Sequence, residues 1–442
     1  MKGTAYFSDV NQQFKKVTVD FKQRETDNNQ VLKVFSDKTR QKVYGFGSSF
    51  TEASGSVYNK MPDSLKQAFI ESCFGETGNK YNLVRMPIQS CDFSLGNYAY
   101  LESEEDLQQS KVNFDRDKEN IIPVARDAVA ANPETIFMAS PWSPPAFMKT
   151  NNNMNGGGYL KEEYYEDWAK LIKLYLDIYK ENGIHVQKLS VQNEPVAVKQ
   201  WDSCLYTNEQ EAYFAVKVLK KILSASGYDH IELYIWDHDK DGLIEWADQT
   251  FRNSEYRHAI DGIAFHWYTG DHFEQISYLA KAYPEKDLLF TEGCVPQEGF
   301  DHNTQEKHGK VYIHDLIGNF KHGMNAFIDW NILLDMDGGP NHMGNTCEAP
   351  IQYDGDNQKL HVNLSYYYIG HFSRFVKKGA HVVYSSAYDH SIEQVAFINP
   401  EGGKVLVAYN ASDDSKAFRV IDKDVETSIE LAAKQVVTLI WK

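Results

Sequence analysis

The sequence predicts an α/β protein: a (β/α)8 TIM barrel with a side β-sandwich built from both chain ends. Between residues 43 and 333, eight short apolar runs alternate with helical segments, the pattern of βα units around a parallel sheet. Segments of period two precede and follow this region. The 442 residues also exceed one ordinary domain of roughly 100–250 residues. We therefore expect residues 1–40 and 376–442 to form the sandwich, and residues 41–375 to form the barrel.

The eight apolar runs are the candidate barrel strands. Each is short and is bounded by turn or helix signals, as buried parallel strands are. Together with the segments between them they match the size of a (β/α)8 barrel. The runs occupy residues 43–50, 81–88, 135–142, 186–194, 231–237, 260–268, 287–292 and 326–333.

Helices with recognisable ends separate these runs. Thr207 and Gln210 form a capping box that predicts a helix ending near Gly227. An apolar stripe at helical spacing over residues 164–179 predicts another helix, which stops at Gly183. These aromatic and aliphatic side chains are expected to pack in the core.

The two chain ends read as strands rather than helices. Residues 14–21 and 31–35 alternate with period two, and a lone hairpin is marginal in water, so they need partners elsewhere. Residues 392–399 and 404–410 flank a Pro-Glu-Gly-Gly turn, and residues 436–441 close the chain as a further strand. The strands of one end can supply the partners that the other end lacks.

Composition narrows the classes of function. Acidic residues exceed basic ones by 17, so we expect no nucleic-acid partner and no stable association with membranes. The five cysteines are scattered without a CxxC pair, which disfavours a disulfide framework and a structural zinc site and suits a reducing compartment. The N-terminus shows no apolar signal region, so a cytoplasmic location is expected. Aromatic residues make up 13%, which suits either sugar stacking or a large aromatic core.

Chemistry-bearing residues collect at the carboxyl ends of the predicted strands, which is where barrel enzymes place their active sites. Glu194 ends the fourth run and Glu292 the seventh. Hydrolysis of a glycosidic bond requires two carboxyl groups, and these stand about 5–5.5 Å apart in retaining enzymes. One group protonates the leaving oxygen and needs a raised pKa, while the other attacks and must stay ionised. The pattern alone leaves the assignment of the two roles open.

Other groups at the same rim suit this division of roles. Arg85, His266 and Tyr268 can hydrogen-bond to a carboxylate and hold it charged. His238 lies between two aspartates, but no second histidine stands at ligand spacing, so we expect no metal and no cofactor. Asp237 is instead expected to support the site through hydrogen bonds.

Several motifs together resemble the family 30 glycoside hydrolases, the group that contains lysosomal glucosylceramidase. The resemblance covers nearly the whole chain in the right order, whereas each motif alone would be weak. The motifs are ASPWSPP around Trp142, RMPIQSCDFS from Arg85, QNEP at 192–195, HWY at 266–268, FTEGC at 290–294, DWN at 329–331 and GGPN at 338–341.

This resemblance implies a retaining β-glycosidase that needs no metal. Carried over by position, Glu194 is the acid/base, Glu292 is the nucleophile, and Asn193 contacts the sugar 2-hydroxyl. The resemblance also places a group of residues around the sugar of the non-reducing end. This group is Asp92, Trp142, Trp330 and Asn345, with Arg85, His266 and Tyr268 as further substrate-binding candidates.

The leaving group and the choice of sugar are less constrained. Trp201 and Tyr206 are candidates either for aglycone contacts or for loop packing. The segment 196–204 is shorter than its counterpart in the lysosomal enzyme, which argues against a ceramide aglycone. We expect a glucosylceramidase-like β-glucosidase. A β-xylosidase, β-fucosidase or β-1,6-glucanase of the same family, or a non-catalytic carbohydrate-binding barrel, are the alternatives.

Overall fold

The computed structural model describes residues 1–24 and 29–442. Four strands precede the barrel. The first was not anticipated from the sequence, because the residues that it buries, Gly3, Ala5 and Ser8, are small rather than strongly apolar. These strands are β1 (Lys2–Ser8), β2 (Lys15–Asp20), β3 (Lys22–Gln23) and β4 (Val31–Lys42).

Eight parallel strands then close into a barrel, as predicted. They are hydrogen-bonded in chain order, and the eighth pairs with the first through Ala326 and Gly45. The strands are β5 (Gly45–Ser49), β6 (Leu83–Ile88), β7 (Ile136–Pro141), β8 (Val186–Ser190), β9 (Glu232–Asp239), β10 (Gly262–His266), β11 (Asp287–Glu292) and β12 (Ala326–Asp329).

The last barrel strand is shorter than its apolar run. Asn331 adopts a left-handed backbone conformation with φ of 57°, which turns the chain after Asp329 and ends the ladder. The remainder of the predicted run starts a separate small sheet beside the barrel mouth. Its strands are β13 (Leu333–Asp335), β14 (Ile351–Asp354) and β15 (Lys359–Val362).

Twelve α-helices in the described part of the chain surround the barrel and bridge to the sandwich. The capping box at Thr207 and Gln210 is formed, and its helix continues through a π-helical stretch at 214–219 to Ala225. No described helix combines the length and apolar character needed to cross a bilayer. The helices are α1 (Glu52–Lys60), α2 (Asp63–Phe74), α3 (Glu104–Gln108), α4 (Ile122–Ala131), α5 (Tyr165–Glu181), α6 (Asn208–Tyr213), α7 (Lys220–Ala225), α8 (Leu243–Phe251), α9 (Ser254–Ala259), α10 (Phe273–Ala282), α11 (His302–His322) and α12 (Leu364–Ser373).

Both chain ends build the β-sandwich. The two N-terminal segments do not pair with each other: β2 pairs with β1, whereas β4 lies between two C-terminal strands. The strand order is β2-β1-β21-β18-β17-β16-β4-β19-β20-β3. The C-terminal strands are β16 (His381–Ala387), β17 (Ile392–Ile398), β18 (Lys404–Asn410), β19 (Lys416–Asp422), β20 (Val425–Leu431) and β21 (Val436–Trp441).

This sheet folds over itself around one apolar core. Trp441 on β21 donates to Asp422 on β19 at 2.9 Å, although the two strands are far apart in the sheet order. The other face of β17 and β18 packs on the barrel helices, where Val395 and Val407 belong to the same apolar cluster as the barrel interior. His314 of α11 adds a polar contact to Glu393 of β17 at 2.9 Å. The sandwich therefore supports the barrel from one side.

Candidate active site

A pocket of about 220 Å³ opens at the carboxyl ends of the barrel strands. Its lining includes most of the residues that the sequence placed in the site. The lining residues are Asp92, Phe93, Trp142, Asn193, Glu194, Lys199, Trp201, Tyr268, Glu292, Cys294, Trp330 and Asn345.

The backbone around this pocket is strained at the strand ends. Gln89, Glu194, Asp237 and Asn331 all have left-handed φ angles, between 45° and 68°. For residues other than glycine this conformation carries an energetic cost, and such positions cluster at functional sites. The Glu194 amide donates to the Asp237 carbonyl at 3.0 Å. At each of these four residues the backbone therefore departs from the extended conformation of the strand.

Asp237 lies beneath the pocket and organises it. It is fully buried and accepts hydrogen bonds from residues on five other strands. Although burial raises the pKa of Asp237, the Arg85 guanidinium and then His266 and Ser190 hold it far below its ordinary value. The predicted role as hydrogen-bond support is confirmed. Its partners are Arg85 at 2.8 Å, Ser140 at 3.1 Å, Ser190 at 2.5 Å, Thr291 at 2.6 Å and the His266 ring at 3.2 Å.

Arg85 connects Asp237 to both halves of the pocket. Its terminal nitrogens donate to Glu292 Oε2 and to Asn193 Oδ1, each at 2.7 Å. Its guanidinium carbon lies 4.7 Å from the centroid of the Trp142 ring. Burial lowers the pKa of Arg85, but the carboxylates of Asp237 and Glu292 raise it by more than burial lowers it. The net effect is a raised pKa, so the side chain stays charged.

The sequence placed Arg85 and His266 among the substrate-binding residues, and the structure places both behind the pocket lining. Both are fully buried and neither lines the pocket. They lie one layer behind its surface, because β6 and β10 direct these side chains into the barrel interior. Their contacts are to carboxylates and amides of the site itself.

Glu292 is held by one donor on each carboxylate oxygen. Arg85 donates to Oε2 at 2.7 Å and the Tyr268 hydroxyl donates to Oε1 at 3.0 Å. Only 7% of the residue is exposed, and that part faces the pocket. The two hydrogen bonds fix the orientation of the carboxylate.

Glu194 has different neighbours, which are one lysine and two histidines. Lys199 Nζ lies 3.2 Å from Oε2, while His266 Nδ1 and His238 Nδ1 lie 3.6 and 3.8 Å from Oε1. Burial raises the pKa of Glu194, but His266, His238 and Lys199 together lower it to about 2. The expectation of a raised pKa for the proton-donating carboxyl group is therefore wrong for Glu194 in the free protein.

Aromatic rings form the wall of the pocket. Trp142 and Trp330 stack with centroids 5.2 Å apart and an interplanar angle of 20°. Phe93 meets the edge of Trp330 at 6.1 Å. Both tryptophans are 2% exposed, so only a small part of the stack is open to the pocket.

Polar residues complete the wall at the far end. The Asn345 amide donates to Asp92 Oδ2 at 2.7 Å. Burial, followed by the nearby charge of Glu292, raises the pKa of Asp92 to about 7. Asp92 is thus on the border between the neutral and the charged form near neutral pH.

The segment after Glu194 forms the opposite rim. Trp201 lines the pocket, and Lys199 lies over its ring at 5.5 Å. Val198 projects outward and is 66% exposed. Tyr206, by contrast, is buried against Phe214 in the main core. Of the two interpretations left open, pocket contact holds for Trp201 and packing holds for Tyr206.

Sequence reasoning missed Phe93, Lys199 and the pocket-facing position of Cys294. Phe93 follows Asp92 in a turn and Lys199 lies in an irregular loop, so neither belongs to a periodic pattern. Cys294 Sγ lies 3.6 Å from the Tyr268 hydroxyl. The only available signal was proximity in sequence to residues already suspected.

The structure also changes the view of His238. The expectation of no metal rested on the lack of a second histidine nearby in sequence, yet β10 brings His266 beside it. One ligand atom each from Glu194, His238 and His266 lie within 4.8 Å of one another. These residues could hold a metal ion.

Comparisons with known proteins show the family of the chain. The glycosyl hydrolase family 30 TIM-barrel domain matches residues 43–376, and the beta sandwich domain of the same family matches residues 379–439. The lysosomal acid glucosylceramidase of Mus musculus is 29% identical over 420 residues, covering 89% of this chain and 80% of the mouse protein.

Solved structures resemble the whole chain. The crystal structure of SrfJ from Salmonella typhimurium is 52% identical, with a TM-score of 0.99 and full coverage of both chains. The endo-β1,6-glucanase BT3312 is 24% identical, with a TM-score of 0.90 over 100% of this chain and 99% of the other. The second likeness shows a shared fold.

Proposed function

The chain belongs to glycosyl hydrolase family 30 and is a glycoside hydrolase, and from this premise we propose that it is a retaining, exo-acting β-glucosidase. One observation carries the proposal. Two carboxylates, Glu194 and Glu292, face one small pocket with opposite surroundings. A retaining mechanism needs such a division between a nucleophile and an acid/base.

Glu292 is the nucleophile in this proposal. Arg85 and Tyr268 donate to its two oxygens, so the carboxylate is oriented before substrate binds. Attack on the anomeric carbon forms a covalent glycosyl-enzyme, and the aglycone leaves with one proton. Water then hydrolyses the intermediate.

Glu194 is the acid/base, and its low pKa requires a source for the proton. Burial lowers the pKa of His266, but the carboxylates of Glu292, Asp237 and Glu194 outweigh this and raise it to about 10. His266 Nδ1 faces Glu194 Oε1 at 3.6 Å, so the two groups together hold one proton next to the leaving oxygen. Transfer through Glu194 protonates the aglycone, and the reverse transfer activates the water.

The pocket supports a single terminal sugar. Its volume of about 220 Å³ lies below the roughly 300–1,000 Å³ of pockets for drug-sized ligands. Asn193 uses its amide oxygen to accept from Arg85, which leaves its NH₂ group to donate toward the sugar 2-hydroxyl. The small volume argues against an endo-acting β-1,6-glucanase. Exposed Val196 and Val198 at the rim favour an apolar leaving group, and the short segment 196–204 favours one smaller than ceramide.

Covalent trapping tests the proposal. A 2-deoxy-2-fluoro-β-glucoside with an activated leaving group should label Glu292, as read by peptide mass spectrometry, and proton NMR should show β-glucose as the first product. Glu292→Gln should abolish labelling, whereas Glu285→Gln, a change at a half-exposed surface glutamate, should not. Labelling at another residue, or α-glucose as first product, would overturn the mechanism.

A panel of aryl β-glycosides separates the sugar alternatives. The highest kcat/KM is expected for the β-glucoside rather than for the β-xyloside or β-fucoside. Glu194→Gln tests the non-catalytic alternative, because the variant should lose hydrolysis of unactivated glycosides and retain sugar binding. A wild-type chain that binds sugars but hydrolyses none of the panel would contradict the enzyme assignment to this pocket.

A further inference from the structure

We propose that Glu194, His238 and His266 form a binding site for Zn²⁺ at the base of the pocket, and that a bound ion excludes glycosides. The donor set is two imidazoles and one carboxylate, which is a recurrent zinc ligand set with one position left open. No part of the proposed hydrolysis uses this ion. The site would act as an inhibitory one.

Two orphaned nitrogen atoms point to a ligand. The Nδ1 atoms of His238 and His266 are both buried and neither makes a hydrogen bond of ordinary length. The proton that His266 shares with Glu194 across 3.6 Å has to leave when a metal binds. Both face the same oxygen, Glu194 Oε1, at 3.8 and 3.6 Å. His266 is fully buried, so bulk water does not reach its nitrogen.

The spacing is close to that of a coordination sphere. Zinc binds imidazole nitrogen at about 2.0–2.1 Å and carboxylate oxygen at about 2.0–2.2 Å, so two ligands on one tetrahedral ion stand roughly 3.4 Å apart. The two distances to Glu194 Oε1, 3.6 and 3.8 Å, need a contraction of a few tenths of an ångström, and all three ligand atoms lie within 4.8 Å of one another, so the two imidazoles must also approach each other. Side-chain rotation of His238, which is less buried than His266, can provide it.

His266 already has a carboxylate partner on its other ring nitrogen, as histidine ligands of zinc usually have. The His266 ring contacts Asp237 Oδ1 through Nε2 at 3.2 Å, which directs Nδ1 toward Glu194. Histidine ligands of zinc commonly use their other nitrogen in this way, and the carboxylate partner raises their basicity. Asp237 is itself fixed by hydrogen bonds from Ser190 and Thr291.

Local charge also favours a cation. Besides Glu194 and Asp237, Asp239 places Oδ2 3.7 Å from His238 Nδ1, and Glu292 lines the same pocket. The opposing cations are Arg85, which is paired with Asp237 and Glu292, and Lys199, which pairs with Glu194 Oε2 rather than with Oε1. One carboxylate oxygen is thus left for the metal.

The expected effect of zinc binding on hydrolysis rests on the proposed function. A zinc ion on Glu194 Oε1 prevents proton exchange with the leaving oxygen, because Glu194 is the member of the site that lines the pocket. Borderline divalent ions such as Zn²⁺ and Co²⁺ fit imidazole ligands, whereas Mg²⁺ and Ca²⁺ prefer an all-oxygen set. Zinc should therefore raise the apparent KM for an aryl β-glucoside, and chelation should reverse the effect.

Calorimetric titration of the EDTA-treated full chain with ZnCl₂ tests the site without reference to hydrolysis. One saturable equivalent should bind, and Co²⁺ should give the visible absorption of a tetrahedral ion. His238→Asn should weaken binding by at least about tenfold, while His390→Asn, a change at a fully exposed histidine, should not. Circular dichroism checks folding, and Glu194→Gln serves as a second ligand variant.

The outcomes separate the two proposals. No saturable zinc binding, or equal affinity in the His238→Asn, Glu194→Gln and His390→Asn variants, would overturn the metal site. Binding of zinc at this site by a chain that hydrolyses no glycoside would leave the metal site standing and reject the proposed function. Zinc binding with an unchanged KM would overturn the claim that the ion excludes glycosides.

Discussion

The two sides of the pocket are built in different ways. On the sugar side, Trp142 and Trp330 stack on each other and on Arg85, and all three are almost completely buried. On the leaving-group side, Lys199 and Trp201 belong to an irregular loop, and Val198 is 66% exposed. Rigid strands position the first side, whereas a surface loop positions the second.

This difference assigns separate tasks to the two sides. A catalytic constellation must be held within fractions of an ångström, and buried hydrogen bonds on strands provide that. A loop can vary without disturbing the core, so it can set the choice of leaving group. Changes on the strand side should therefore affect stability and catalysis together, and changes in the loop should affect specificity or pH dependence alone.

The largest effect is expected from Asp237→Ala. The substitution leaves the buried Arg85 with one fewer partner and removes five hydrogen bonds to the site. Breaking a buried ion pair costs about 3–5 kcal/mol, so urea unfolding should show a loss of that size together with loss of hydrolysis. The exposed Asp229→Ala is the control. A loss below about 1 kcal/mol would contradict the view that the strand side is fixed by this residue.

A smaller, pH-dependent effect is expected at Asp92. Its folded pKa of about 7 lies above the ordinary value, so the folded chain binds more protons than the unfolded chain between about pH 4 and pH 7. The contribution of Asp92 to the free energy of unfolding should fall as pH rises through this window, by a few kcal/mol at most. Asp92→Asn should flatten that part of the profile measured by urea unfolding. Parallel profiles for the two chains would contradict the prediction.

Lys199→Met should shift pH dependence without a large cost in stability. Lys199 is one of three groups that lower the pKa of Glu194, and it is one-third exposed. Its removal should make the Glu194–His266 pair hold its shared proton more strongly, and so move the alkaline limb of the kcat/KM profile to higher pH by about 1 unit. Lys170→Met, at an exposed lysine on α5, should leave the profile in place. A shift to lower pH would contradict the proposed role of Glu194.

The smallest effect is expected from Val198→Ser. Because the side chain is 66% exposed, its loss should change the free energy of unfolding by less than about 0.5 kcal/mol. KM for a β-glucoside with a long alkyl aglycone should rise up to about fivefold, as the loss of about 1 kcal/mol of apolar contact implies. KM for methyl β-glucoside should not change. The exposed Val112→Ser is the control, and equal effects on both substrates would contradict the assignment of the rim to the leaving group.

Much of the architecture followed from local patterns. The eight barrel strands and the contribution of both chain ends to the sandwich were predictable because strand period, turns and caps act over a few residues. The strand at Lys2–Ser8 was missed because the residues that it buries are small, and the early end of β12 was missed because Asn331 turns the backbone inside an apolar run.

Within the site, the sequence by itself determined which residues lie at the strand ends, including Glu194 and Glu292, because barrel topology directs all carboxyl ends to one rim. Only the tertiary structure decided how those residues behave. Glu194 has a low pKa because His238, His266 and Lys199 come from three separate segments to surround it. Distances and burial set that electrostatic balance, and neither is encoded in any single stretch of the chain.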